Sequence, residues 1–125
     1  MKTGAELIVE ERKRQIEVEG YIQEHDLSHD VSEFLDAAVS YITPNHKRPT
    51  LDVTNTLDRQ PSYAVICDRV GINGKVYKLR ILPPSIWPWG EQYWKPSPKD
   101  RIRELVKAAA LIAAAIDVLQ TEKGE

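Results

Sequence analysis

Cysteine, methionine and phenylalanine each occur once in the 125 residues. The lone Cys67 excludes an internal disulfide framework and a zinc site built from several thiolates. No apolar run approaches the ~20 residues that cross a bilayer, and the longest, Ala108 to Ile116, is rich in alanine. Met1-Lys2-Thr3-Gly4 opens without the apolar stretch of a signal peptide, so the expectation is a cytoplasmic protein with no membrane contact. No glycine-rich phosphate loop is present, and no serine or cysteine stands in a nucleophile-elbow pattern. What is present is 42% hydrophobic and 29% charged residues, enough for a core within a single domain spanning residues 1–125.

The net charge of -2 hides an asymmetry. Acidic side chains dominate residues 1–42 and basic ones dominate residues 69–107. A fold that joins the two regions is internally complementary. The basic region therefore does not announce a nucleic-acid surface, and no direct nucleic-acid binding is expected. A small anionic ligand needs only a local positive pocket.

The order of patterns predicts an α+β domain of three main helices, a β-hairpin and long loops. Thr3 and Glu6 form a capping box ahead of a helix over Ala5–Glu19, with Gly20 as its stop. Asp30 and Glu33 repeat that pattern before Val31, Phe34, Leu35, Ala38, Tyr41 and Ile42, and Pro44 ends the second helix. Residues 43–62 lack any period and read as a long loop. Tyr63–Cys67 and Lys75–Ile81 are β-rich runs joined by Asn73-Gly74, a strong hairpin pair. Tyr77, Leu79 and Ile81 share one strand face and Lys78 and Arg80 the other.

A proline- and tryptophan-rich segment over 82–98 leads to a helix start at Ser97-Pro98-Lys99-Asp100. In the last helix Ile102, Leu105, Val106, Ala109, Ile112, Ala113, Ile116 and Leu119 mark one stripe, while Leu111, Ala115 and Val118 mark a second. A helix apolar on two sides is packed on both, so a homo-oligomer, most simply a two-fold dimer, is expected. The first and last helices are expected to pack together.

Candidate site residues are those that break the binary pattern. Glu11, Arg12 and Gln15 interrupt the apolar arc of the first helix, where buried charge needs a partner. Internal pairing explains them, and so does a pocket wall. His25-Asp26 reads as a loop-shaping or ligand-contacting pair, with metal ligation the weaker reading. Trp87, Trp89 and Trp94, braced by prolines, either close the core or stack on a base, with Arg80, Lys78 and Lys95 placed to meet phosphate.

The same positions carry a resemblance. Glu11-Arg12-Lys13-Arg14-Gln15 with Glu19-Gly20, then Glu24-His25-Asp26, Trp87-Pro88-Trp89, Trp94-Lys95-Pro96 and Leu105-Val106-Lys107-Ala108-Ala109-Ala110-Leu111-Ile112 resemble a family of small phage and prophage accessory proteins. The chain departs from that pattern at Leu27, where a second acid is usual, and at Ala109, where glycine is usual. The resemblance implies a phage-derived protein acting in the cytoplasm of a bacterial host.

Two function classes follow, with a third beside them. The first is capture of a nucleotide-derived small molecule, as in counter-defence proteins that sequester a cyclic nucleotide or ADP-ribose signal, with no cofactor and no catalytic residue. The second is a Mg-dependent nucleotide pyrophosphohydrolase similar to the MazG family, which holds metal with helical E-E-x-x-E and E-x-x-D motifs. Glu10-Glu11 begins the first motif but Arg14 occupies its last acidic position, while Glu33-Phe34-Leu35-Asp36 satisfies the second. The third is an inhibitor acting on a host protein through the tryptophan loop.

Overall fold

A reciprocal cap starts the chain's first helix. The Glu6 N–H donates to Thr3 Oγ1 and the Thr3 N–H donates to Glu6 Oε1, both at 3.2 Å, which satisfies donors that the first turn leaves free. The computed structural model describes residues 1–17 and 30–122. Within them helix α1 spans Gly4–Glu17, so the expected stop at Gly20 and the His25-Asp26 pair lie outside the described residues.

Helix α2 spans Val31–Ile42 and is capped by Asp30. The cap differs from the expected box, because Asp30 Oδ1 accepts from Ser32 N–H at 2.8 Å and Ser32 Oγ at 2.9 Å. Those two bonds hold the Asp30 carboxyl below its ordinary pKa.

The expected loop over 43–62 contains a strand. β1 (Thr50–Asp52), β2 (Ile66–Val70) and β3 (Val76–Ile81) form an antiparallel sheet in the order β1-β3-β2. Three residues carry too little alternation to mark a strand in sequence, and β1 exists because β3 offers it a free edge. Thr50 stands opposite Ile81 and Asp52 opposite Leu79. β2 sits later than its sequence pattern suggests, with Ile66 opposite Arg80 and Val70 opposite Val76. The hairpin turns where expected: Gly74 adopts φ 80°, a left-handed conformation in which a Cβ would be strained.

Helix α3 spans Arg101–Glu122. It begins later than the Ser97-Pro98 signal: Ser97 O accepts from Asp100 N–H at 2.9 Å across a turn, the Ser97 N–H donates to Glu104 Oε2 at 3.1 Å, and Asp100 caps the helix by accepting from Arg103 N–H at 3.0 Å. α3 packs against both other helices. The core joins Phe34, Ala38 and Tyr41 of α2 to Ala108, Leu111, Ala115 and Val118 of α3, with Ile81 of β3 and Trp94. Alanine on α3 removes side-chain bulk where α2 approaches.

Trp94 is a core residue. Its ring stacks on Tyr41 with centroids 5.0 Å apart, and the Arg48 guanidinium lies 5.2 Å from its centroid. Arg48 is itself buried. It donates to Glu104 Oε2 at 2.5 Å, Asn45 Oδ1 at 2.8 Å and Tyr41 O at 3.0 Å. This clamp ties the segment after α2 to the first turn of α3.

Candidate functional site

The polar residues of α1 enter the protein as their periodicity requires. Glu11 and Gln15, four residues apart, lie on one helix face and are 2% and 3% exposed. A buried carboxylate demands compensation, and Glu11 receives it twice. Arg14 donates from Nε and a terminal nitrogen to the two carboxylate oxygens, each at 2.8 Å, and Arg103 of α3 approaches Oε1 at 2.7 Å. Burial pushes the Glu11 carboxyl up, and the two guanidinium groups outweigh it, holding the group below its ordinary value of 4.5.

Beside this cluster a narrow cleft opens between α1, α3 and the tryptophan segment. Glu11, Arg14 and Gln15 form one wall, Tyr41, Trp87, Trp89 and Tyr93 the aromatic side, and Lys95, Lys107 and Leu111 the remainder. Its interior volume is about 30 Å³, room for a water or two. Gln15 Oε1 is buried and has no hydrogen-bond partner among the described residues. Trp94 Nε1 is in the same condition, but inside the aromatic stack. An amide oxygen held this way has unused capacity for an N–H or O–H donor.

The aromatic wall is preorganised. Trp87 meets Trp89 edge-on at 5.5 Å and Tyr41 edge-on at 5.6 Å, and Trp89 meets Phe34 edge-on at 5.9 Å. The Trp87 indole N–H donates to Gly90 O at 3.1 Å, which fixes that ring. Lys107 Nζ donates to Lys95 O at 2.7 Å and lies 5.4 Å from the Tyr41 ring. The Lys95 side chain is exposed at the mouth, as is Tyr93.

The structure thus gathers Glu11, Gln15, Trp87, Trp89 and Lys95 around one cleft. Three other candidates lie elsewhere. Arg12 reaches along the helices to Asp117 Oδ2, 3.5 Å away. Arg80 is ion-paired with Glu91 outside the cleft. Trp94 is enclosed in the core. His25 and Asp26 fall outside the described residues.

Tyr41, Tyr93, Arg14 and Lys107 join the cleft without having been singled out. Lys107 was legible: it stands four residues before Leu111 on the buried stripe of α3, the same kind of interruption that exposed Glu11 and Gln15. Tyr93 gave no signal, because a short 3₁₀ turn over Glu91–Tyr93 sets its direction.

The metal-dependent alternative finds little support in this geometry. Glu11 of its first motif is occupied by two guanidinium groups. Among the described residues no three imidazole, thiolate or carboxylate groups converge on a point where a cation would sit. No helix among them is long and apolar enough to cross a membrane. Compared with known proteins, the chain matches no family model, no curated protein and no solved structure.

Proposed function

We propose that the protein captures a nucleotide-derived small molecule at the mouth of this cleft and releases it unchanged. The observation that carries the reading is the buried Gln15 Oε1, without a partner among the described residues, in a cleft lined by aromatic rings and cations. A nucleobase supplies what that site lacks. Its amino edge is a donor for Gln15, its face stacks on an exposed ring such as Tyr93, and its phosphate meets Lys95. The volume inside admits only the edge of such a ligand, so the sugar and phosphate lie outside, across Tyr93 and Lys95. The resemblance to phage accessory proteins supports a counter-defence setting, in which sequestering a cyclic nucleotide or ADP-ribose signal needs binding without turnover.

The test is calorimetric titration with adenosine monophosphate, cyclic AMP, a cyclic dinucleotide and ADP-ribose, with and without chelator, followed by chromatography of the ligand. Saturable binding that survives chelator and returns intact ligand is expected. Metal-dependent release of pyrophosphate moves the assignment to the pyrophosphohydrolase. Absence of heat with every nucleotide rejects the capture reading.

A further inference from the structure

The last helix buries the stripe of Leu111, Ala115 and Val118 and leaves most of the other in water, although Val106 of that expected stripe is buried. Ile102, Leu105, Ile112, Ile116 and Leu119 are between 38 and 67% exposed. With Ala109 they recur at alternating steps of three and four residues, the seam spacing of paired helices. α2 widens the face. Arg101 at the start of α3 donates to Tyr41 O and Ile42 O at the end of α2, so the two helices run antiparallel. In such a pair, flanks at the same angular offset from the contact lie on the same side. Leu35, Val39 and Ile42 are 41 to 47% exposed and share that flank. The tryptophan segment covers the opposite side.

Eight large apolar side chains on α2 and α3 are thus 38 to 67% exposed along one face, a clustering that marks an interaction surface rather than scattered surface residues. A standard interface buries ~800 Å² on each partner. The eight side chains supply the apolar centre that such an interface needs on one partner.

We propose that this face is the interface of a two-fold dimer in which α3 pairs antiparallel with α3 of a second copy. The seam identifies the occupant as the chain itself, because its spacing reads the same from either end. Centred between Ala109 and Ile112, it sets Ile102 against Leu119 of the second copy, Leu105 against Ile116, and Ala109 against Ile112. Alanine opposite isoleucine lets the helices close at the centre. The antiparallel sense also opposes the two helix dipoles and brings Lys99 of one copy toward Glu122 of the other. The cleft of each copy stays on the outer side, so dimerisation and ligand capture are independent.

Sedimentation equilibrium at tens of micromolar tests it. The chain is expected at twice its 14.2 kDa mass. Leu105→Glu and Ile116→Lys are each expected at the single-chain mass, with unchanged circular dichroism because both positions are exposed within one copy. An equimolar mixture of the two is expected to recover the doubled mass, since position 105 faces 116 across the two-fold. Should either variant fail to fold, Ile102→Lys with Leu119→Glu reads the same register. A wild-type chain at the single mass overturns the proposal, including the case in which its apolar face binds some other protein. A mixture that stays monomeric, while Leu105→Glu mixed with Leu105→Lys dimerises, overturns it in favour of a parallel pair.

Discussion

Two carboxylates on different helices are buried almost equally, yet their surroundings differ. Glu104 sits in a closed clamp, where the Arg48 side chain is fully enclosed and Ser97 N–H and Arg101 complete the set of donors. Glu11 also has two guanidinium partners, but the side chains of Arg14 and Arg103 are about one-third exposed, at 34% and 35%. Next to Glu11 stands an amide oxygen that nothing described in the chain satisfies. The first arrangement encloses its central guanidinium, with Arg48 Nε left without a hydrogen bond among the described residues. The second retains polar capacity at a solvent-facing cleft. Burial of the carboxylate alone does not separate a structural ion pair from a site wall; Glu104 has one guanidinium partner that is wholly enclosed, Arg48, and Glu11 has none.

Breaking the clamp carries the largest expected effect. Glu104→Ala leaves Arg48 buried without its counter-ion, at a cost of ~3–5 kcal/mol in urea unfolding. Glu11→Ala is expected to cost clearly less, because Arg14 and Arg103 can turn to water. Equal losses at the two positions would erase the distinction between clamp and cleft wall.

Next come the residues at the cleft mouth. Tyr93→Ala removes a stacking surface of ~1–3 kcal/mol, which weakens nucleotide binding about ten- to hundredfold. Lys95→Ala is expected to weaken it less and to flatten its salt dependence. Neither should move the melting temperature, since both side chains are exposed. Trp94→Ala, by contrast, should cost ~3–5 kcal/mol of stability as a core truncation.

Gln15→Met separates the roles of one residue. It replaces a buried acceptor, without a partner among the described residues, with an apolar chain of similar length, so the ligand-free protein should gain about 1 kcal/mol in stability while nucleotide affinity falls. A loss of stability with affinity intact would make Gln15 a structural residue like Glu104.

The smallest effect is in pH. The Glu11 carboxyl lies below 4.5 in the folded protein, so its contribution to stability is fully present above 4.5. That contribution is lost as pH falls through the lower folded value. Urea midpoints measured from about pH 6 to about pH 3 should fall at the acid end, and Glu11→Gln should shallow that fall. An unchanged slope would mean that the Arg14 and Arg103 contacts are not maintained in solution.

Much of the scaffold is readable from local pattern. The caps at Thr3 and Asp30, the end of α2 before Pro44 and the turn at Asn73-Gly74 depend on neighbours in sequence, and the structure has each of them. Where the reading fell short, the cause was non-local. β1 has too few residues for a pattern of its own and is created by the edge of β3. The start of α3 moved to Asp100, whose carboxylate caps it, while Ser97 is drawn into a turn and its N–H reaches Glu104 one turn in. Half of the cleft was visible as Glu11 and Gln15 on an apolar helix face. Arg48 and Glu104 escaped notice because their pairing joins a loop to a helix 56 residues away.

From its sequence alone this chain determined an α+β composition, three helices with their apolar faces, and the positions at which polarity intrudes on those faces. Helical period and capping act over three or four residues, so they need no knowledge of the fold. Only the tertiary structure decided which intrusion became a closed clamp and which a cleft. It also decided which tryptophan was committed to the core, and which of two apolar stripes on α3 was left mostly in water. Each of those outcomes depends on what the remainder of the chain places opposite a side chain, and desolvation and pairing energies are set by that neighbour.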